Sequence, residues 1–359
     1  MIVIGADTHK RSHTVVAVDG VSGVVRGQLT LAATDDGMLD ALRFAAGLDE
    51  ERVWAIEDCR HVSARLERML VAAGERVIRV APALTGPTRQ SARTPGKSDP
   101  VDATAVARAA VREGLESFPA AYLDEAAMEI RVLCDYRNQL IVERTRQINR
   151  LRWLLVAIAP SWEAELKRGL KSQRVRDRLA RQLARLAPGA QRRVAKTILA
   201  RINHITQEDH DLLDELTALV CAHSPQLLAQ RGVGTVTAAI IIGHTAGAQR
   251  FRSDAAFARH AGVAPIPASS GNTTRYRLHR GGDRQLNRAL HIIAIANSST
   301  DPATRAYLDR KTAEGKTRLE AIRCLKRHLA RRIYHLLTPH PDTQNPLPPK
   351  SANTELLLT

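Results

Sequence analysis

The sequence predicts an α/β N-terminal domain, followed by a long helical region and a compact, mostly α C-terminal unit. Three observations carry this reading. The first hundred residues alternate short β-rich runs with helical stretches. Residues 120–224 are helical in pattern with few glycines. Residues 227–336 return to shorter helical runs around a glycine-rich interior. A hydrophobic content of 44% is enough for packed cores and excludes a disordered or fibrous chain.

Taken in order, residues 2–7 and 13–19 are β-rich runs separated by the polar stretch Thr8-His9-Lys10-Arg11-Ser12. Residues 24–32 form a third run after Gly20 to Gly23, so short turns join three strands in an antiparallel meander. Then come a helix over 35–46, a strand over 52–57, a helix over 62–73, a strand over 76–81 and a helix from Pro100. The order β-β-β-α-β-α-β-α is that of the RNase H fold. A fold of this kind does not by itself specify an activity.

In the helical region Leu133, Leu140 and Leu154 share one seven-residue spacing, and Cys134, Ile141, Ile148 and Leu155 share the adjacent one. This stripe suits either a coiled coil, through which the chain would oligomerise, or a long helix packed within its own domain. Arg137, Arg144 and Gln147 interrupt it. The expected division is 1–115, 116–225 and 226–337, with a proline-rich tail over 338–359 expected to be disordered.

Lys and Arg number 53 against 37 Asp and Glu, a formal charge of +16, which is the footprint of a partner carrying many phosphates. No apolar run is long enough to span a membrane and no charged-then-apolar leader is read, so the expected location is cytoplasmic, on the nucleoid when bound to DNA. Cys59, Cys134, Cys221 and Cys324 lie far apart without a Cys-x-x-Cys pair, which suggests neither a zinc knuckle nor a disulfide framework.

Acidic residues fall where the inferred strands end. Asp7 closes the first strand, Glu57 closes the fourth, and Asp99 and Asp102 sit three apart at a helix start, where both can point to one side of the first turn. Four oxygen ligands from two strand ends and a helix suit Mg²⁺ or Mn²⁺, and such ions serve phosphoryl transfer. Each piece also has a plainer reading. Asp99 is a natural N-cap, with Pro100 as the first helical residue and Asp102 favourable to the helix dipole. Asp7 suits a turn, and Glu57 or its neighbour Asp58 a solvated surface.

With the residues in view, Ile4-Gly5-Ala6-Asp7-Thr8-His9-Lys10, Ala55-Ile56-Glu57-Asp58 and Lys97-Ser98-Asp99-Pro100-Val101-Asp102-Ala103 resemble the three acidic motifs of the DEDD transposases of the insertion sequence 110 family, related to the Piv DNA invertase. The resemblance implies a RuvC-like domain whose acids map onto Asp7, Glu57, Asp99 and Asp102. Many members follow the Glu with a small residue and Gly, whereas this chain has Asp58-Cys59-Arg60-His61, so Glu57 and Asp58 both stay open as the second acid.

Further along, residues 228–239 resemble a helix-hairpin-helix, in which a Gly-x-Gly turn, here Gly232 and Gly234, brings backbone N–H groups to a DNA phosphate. A plain helix-capping turn is the alternative. Gly262-Val-Ala-Pro265 precedes Ser269-Ser270-Gly271, and Arg275, Arg277, His279 and Arg280-Gly281-Gly282-Asp283 follow. Arginines so placed can hold a phosphate. By composition Ser-Ser-Gly is ordinary loop chemistry. The family resemblance, which spans about residues 1–335, implies instead that Ser270 attacks the DNA backbone and forms a phosphoserine linkage, with Ser269 as the alternative.

The resemblance further implies a non-coding bridge RNA pairing with donor and target DNA, and a homo-oligomer, dimer or tetramer. The sequence thus points to a DNA transposase or site-specific recombinase. A RuvC-like junction resolvase, using the acids alone, and a non-catalytic DNA-binding protein are the competing readings.

Overall fold

The computed structural model of the chain describes residues 1–57, 62–82, 84–86, 98–121, 124–165, 169–170, 172–268, 276–277, 279 and 281–338. By its contacts the chain divides into two units, Met1–Glu125 together with the chain from His244 onward, and Ala126–Gly243 between them.

The first unit opens with β1 (Ile2–Thr8), β2 (Ser12–Asp19) and β3 (Val25–Ala32), then α1 (Asp35–Ala46), β4 (Arg52–Glu57), α2 (Ala64–Ala72), β5 (Val77–Val80) and α3 (Asp99–Glu113). The sheet order is β3-β2-β1-β4-β5, with β1/β2 and β2/β3 antiparallel and β1/β4 and β4/β5 parallel. This is the RNase H-like arrangement expected from the element order. Because successive strand residues point to opposite faces, β1 splits its side chains between two cores. Ile2, Ile4 and Ala6 pack with Val15, Trp54 and Ile56 beneath Met38, Ala41, Leu66 and Leu70 of α1 and α2. Val3 packs on the other face with Val16, Val53, Ala55 and Ile78 against Ala103, Val106, Ala107 and Ala110 of α3. Burial on both faces explains why β1 and β4 read as nearly continuous apolar runs.

The middle unit is helical, with α4 (Glu125–Ile158), α5 (Pro160–Glu165), α6 (Gln173–Arg185), α7 (Ala190–His223), α8 (Pro225–Leu228) and most of α9 (Thr235–Thr245). The apolar stripe of α4 is spent within the unit. Leu140, with Leu133, packs against Ile205 and Leu212 of α7, and Leu151 and Leu155 join Leu179 and Leu183 of α6 and Ile198 and Ile202 of α7. The arginines that seemed to interrupt the stripe belong to the same packing. Arg137 and Arg144 lie 2.7 and 2.9 Å from the carboxylate of Asp209, which is buried on α7.

The chain then completes the first unit with α10 (Asp254–His260), β6 (Ile266–Pro267), β7 (Tyr276–Arg277), α11 (Arg284–Thr300), α12 (Pro302–Ala313) and α13 (Arg318–Leu337). Thr317 and Glu320 form a reciprocal capping box at the start of α13, and Tyr334 donates from its hydroxyl to the Phe251 carbonyl. The tail expected to be disordered lies, from residue 339, outside the described residues. No helix among the described residues is long and apolar enough to cross a membrane.

Candidate active site

Parallel pairing of β1 with β4 brings their carboxyl ends to the same edge of the sheet. Asp7 and Glu57 stand there, both on the α3 side, since they alternate in step with Gly5 and Ala55. The register of α3 is set by Gly5. A Cβ at that position would lie 2.1 Å from the Ala103 carbonyl oxygen and 2.7 Å from the Ala107 nitrogen, so only glycine lets the helix cross β1 this closely. With Ala103 seated over Gly5, the first turn of α3 lies toward the carboxyl end of β1 and carries Asp99 and Asp102 to Asp7.

The structure assigns the start of α3 differently from the capping expectation. Asp99 is the first helical residue, and the N-cap is Ser98, whose side chain makes no capping bond. The Asp99 carboxylate is therefore not committed to the helix end.

Asp7 is 8% exposed, and its carboxyl is pushed above the ordinary range, first by burial and then by the nearby carboxylates of Asp102, Asp99 and Glu57, against an opposing effect of His9. His9, which the motif reading passed over, brings Nε2 to 3.2 Å from Asp7 Oδ2 and 3.5 Å from Asp99 Oδ1. Ligand atoms of Asp7, His9 and Asp99 all lie within 4.8 Å of one another. The Asp-x-His spacing was the available signal, because residues two apart on an extended chain share a side. Glu57 is oriented by Thr85, whose buried hydroxyl donates to Oε1 at 2.7 Å. The alternative second acid, Asp58, lies outside the described residues.

This donor set fits a divalent cation. Hard carboxylate oxygens converge, they repel one another without a counter-ion, and the buried Asp7 Oδ2 accepts no well-formed hydrogen bond among the described residues.

The second candidate region lies in the chain after α9. β6 and β7 pair antiparallel, Ile266 with Arg277 and Pro267 with Tyr276, so the intervening sequence that holds both serines starts and ends side by side. Ser269, Ser270, Gly271, Arg275 and Arg280 fall outside the described residues, while Arg277 is exposed on β7. Below this hairpin the root is closed tightly. A Cβ on Gly282 would lie 2.2 Å from the Gly262 nitrogen, the Asp283 amide donates to the His260 carbonyl at 2.7 Å, and Asn287 donates to the carbonyls of Ala261 and Gly262. Asp283 also caps α11 by accepting from the amides of Gln285 and Leu286, and its other oxygen meets His244 Nδ1 at 2.9 Å, both side chains being buried. Lys326 donates to Asn287 Oδ1, and burial holds its ammonium down at about 8.

Gly232 and Gly234 stand in the turn between α8 and α9. Gly232 takes the left-handed conformation, φ +76°, and the Gly234 amide donates to Thr237 Oγ1 at 3.0 Å. Nothing lies within 4 Å of a Cβ built on Gly234, so that side of the turn is open.

Comparison with known proteins decides the family. A family model described as Transposase, that of the IS110-type DEDD proteins, matches residues 4–160, and a second, described as Transposase IS116/IS110/IS902 family, matches residues 225–309. A 43.6 kDa protein of insertion element IS110 from Streptomyces coelicolor is 32% identical over 286 residues, 67% of this chain and 70% of that protein. The chain belongs to the IS110 family of transposases. A 42 kDa protein of insertion element IS900 from Mycobacterium paratuberculosis is 26% identical to this transposase over 385 residues, 94% of this chain and 95% of that protein. Among solved structures, T. thermophilus RuvC in complex with a Holliday junction substrate aligns at 12% identity and a TM-score of 0.27, covering 34% of this chain and 99% of that one. As a DEDD transposase the protein acts on DNA and depends on a divalent metal ion. The first match contains all four acids, and the second contains the Gly232–Gly234 turn and both serines.

Proposed function

We propose that this transposase cuts and rejoins DNA with two cooperating centres, an acidic one on residues 1–115 and a serine on residues 226–337. The observation that carries the reading is the convergence of Asp7, Glu57, Asp99 and Asp102 at one edge of the sheet. These four residues, with Mg²⁺ or Mn²⁺ as the ion, are the proposed ligands. When bound, the ion supplies charge neutralisation at the scissile phosphate. Asp7 and Glu57 come from the rigid sheet, and Thr85 fixes the Glu57 carboxylate, so the ligands need little reorganisation.

The Ser270 hydroxyl is the proposed nucleophile. Its Oγ gives up its proton and forms the new bond to phosphorus, the phosphorus bond to one DNA oxygen breaks, and that departing oxygen takes up a proton to leave as a DNA hydroxyl. Rejoining is the reverse attack by a DNA hydroxyl on the phosphoserine. Arg275, Arg277 and Arg280, which follow the serine in sequence, are assigned to hold the phosphate, and the amides of the Gly232–Gly234 turn to grip the backbone beyond it. The family resemblance supports a bridge RNA and a homo-oligomer as further partners.

The test is covalent capture. Wild type, Ser269→Ala, Ser270→Ala and Asp7→Ala are incubated with labelled substrate DNA and cognate RNA, with and without Mg²⁺, and run on denaturing gels. The expected adduct forms in wild type and Ser269→Ala with the ion present, and is lost in Ser270→Ala and Asp7→Ala. Efficient cleavage by Ser270→Ala without an adduct would move the chemistry to hydrolysis at the acids, as in a junction resolvase.

A further inference from the structure

The middle unit holds a feature that neither centre uses. Residues 173–196 contain eight Arg and Lys against one acid, Asp177. Within α6, Arg174, Arg178, Arg181 and Arg185 are all exposed and are spaced i, i+4, i+7 and i+11. That spacing stacks them on a single face of the helix in a straight row roughly 16 Å long, at 1.5 Å per residue.

The opposite face fixes the helix. Leu179 and Leu183 are buried in the core shared with α7, and Arg176 is turned inward, donating from Nε to Asn203 Oδ1 at 2.6 Å and from Nη1 to the Leu170 carbonyl at 3.1 Å. The helix cannot roll its arginine row away from solvent without breaking these contacts.

Elsewhere in this unit arginines find acids, as Arg137 and Arg144 do with Asp209 and Arg201 with Glu143. The four arginines of the row have neither an ion pair nor a hydrogen bond among the described residues. Asp177 accepts instead from Gln173 Nε2. Like charges three and four residues apart on a helix repel, so an unneutralised row is disfavoured in the free protein and is relieved by an anionic partner.

We infer that this face of α6 is a docking ridge for the phosphate backbone of duplex DNA, a role beyond those of the two proposed centres. Guanidinium groups pair with phosphate in a two-pronged geometry, and duplex DNA carries about one charge per 1.7 Å of axis, so a row this long spans enough phosphates for every arginine. No large hydrophobic residue is exposed on α6, which leaves a lipid surface without apolar anchors. Arg193 and Lys196 are likewise exposed, at the start of α7.

The experiment compares the full-length protein with R174Q/R178Q/R181Q/R185Q and with a control of equal charge loss, R43Q/R68Q/R305Q/R318Q, whose arginines are exposed on other elements. Binding of labelled duplex DNA and of duplex RNA of equal length is followed by anisotropy across a salt series, with helicity and Tm verifying the fold. Each phosphate contact contributes about 0.9 to the slope of log affinity against log salt, so the ridge variant is expected to bind DNA with a slope shallower by roughly 3–4. The control is expected to change it by less than about 1. Should the quadruple variant fold poorly, R178Q/R181Q is expected to lose roughly half as much slope as the full set. Equal losses in ridge and control variants would reduce the effect to net charge and overturn the inference. Unchanged DNA binding with loss of RNA binding would overturn it in favour of an RNA surface.

Discussion

Gly5→Ala is the smallest change that tests how the acidic centre is built. The added Cβ would lie 2.1 Å from the Ala103 carbonyl oxygen, 2.7 Å from the Ala107 nitrogen and 2.9 Å from the Ala107 Cβ. A comfortable carbon-to-oxygen separation is about 3.3 Å, so α3 must retreat by roughly 1 Å. Two of the three obstacles are backbone atoms, which no rotamer change relieves. Overpacking of this kind costs about 1–3 kcal/mol, read as a lowered urea midpoint at unchanged m. The retreat also carries Asp99 and Asp102 away from Asp7, and a displacement near 1 Å costs on the order of 100-fold in rate. The assays are urea unfolding followed by circular dichroism and metal-dependent cleavage of labelled DNA. Adding Ala107→Gly removes only the Cβ contact and is expected to restore little of either. If Gly5→Ala matched wild type in both midpoint and rate, the claim that this contact sets the position of the first turn of α3 would be wrong.

Other substitutions separate the remaining contributions. Asp7→Asn is expected to leave the metal-free protein at least as stable as wild type, because it removes a buried carboxylate held above its ordinary range, and to abolish the rise in Tm expected of wild type with a saturating divalent cation, about 2.7 kcal/mol at 100 times Kd. Thr85→Val keeps the side-chain volume but removes the hydrogen bond to Glu57, so cleavage is expected to fall about 10- to 100-fold with the fold intact by circular dichroism. Lys326→Met probes the root of the serine hairpin. Burial lowers the folded-state pKa of Lys326 to about 8, so the charged form carries its full penalty below pH 8, and the penalty is relieved as pH rises toward the unfolded value. Wild-type stability should therefore gain on Lys326→Met between about pH 8 and 10.5, by at most roughly 3 kcal/mol at 1.36 per pH unit, as read from urea midpoints across that range.

The sheet was legible because the side-chain period along a strand is short and turn residues separate the runs. The strands over 2–7, 13–19 and 52–57 fall within a residue or so of their observed limits. The joint placement of Asp7 and Glu57 followed from strand ends alone. What the sequence hid depends on contacts between distant segments. Gly5 looks like any strand glycine until α3 lies against it, and Thr85 becomes a partner of Glu57 only through the fold. Asp99 reads as an N-cap because Asp before Pro is a favoured helix start, yet the boundary falls one residue earlier. The heptad stripe of α4 could not reveal its partner, since the same spacing serves a second chain or α7 equally well. Asp283, read only as the end of a basic glycine-rich stretch, proves to be buried against His244, thirty-nine residues earlier.

The interrupted layout of the first unit also sets an order of events during translation. All four acids have been synthesised by residue 102, whereas the serine segment follows only after the whole of Ala126–Gly243 has been made. At about 5–20 residues per second the delay between Asp102 and the serines is roughly 8–34 s, long compared with the folding of a small sheet. A nascent chain stalled or truncated within the middle unit would carry all four carboxylates and neither serine, so the acidic edge of the sheet is made in full before the rest of its own compact unit exists.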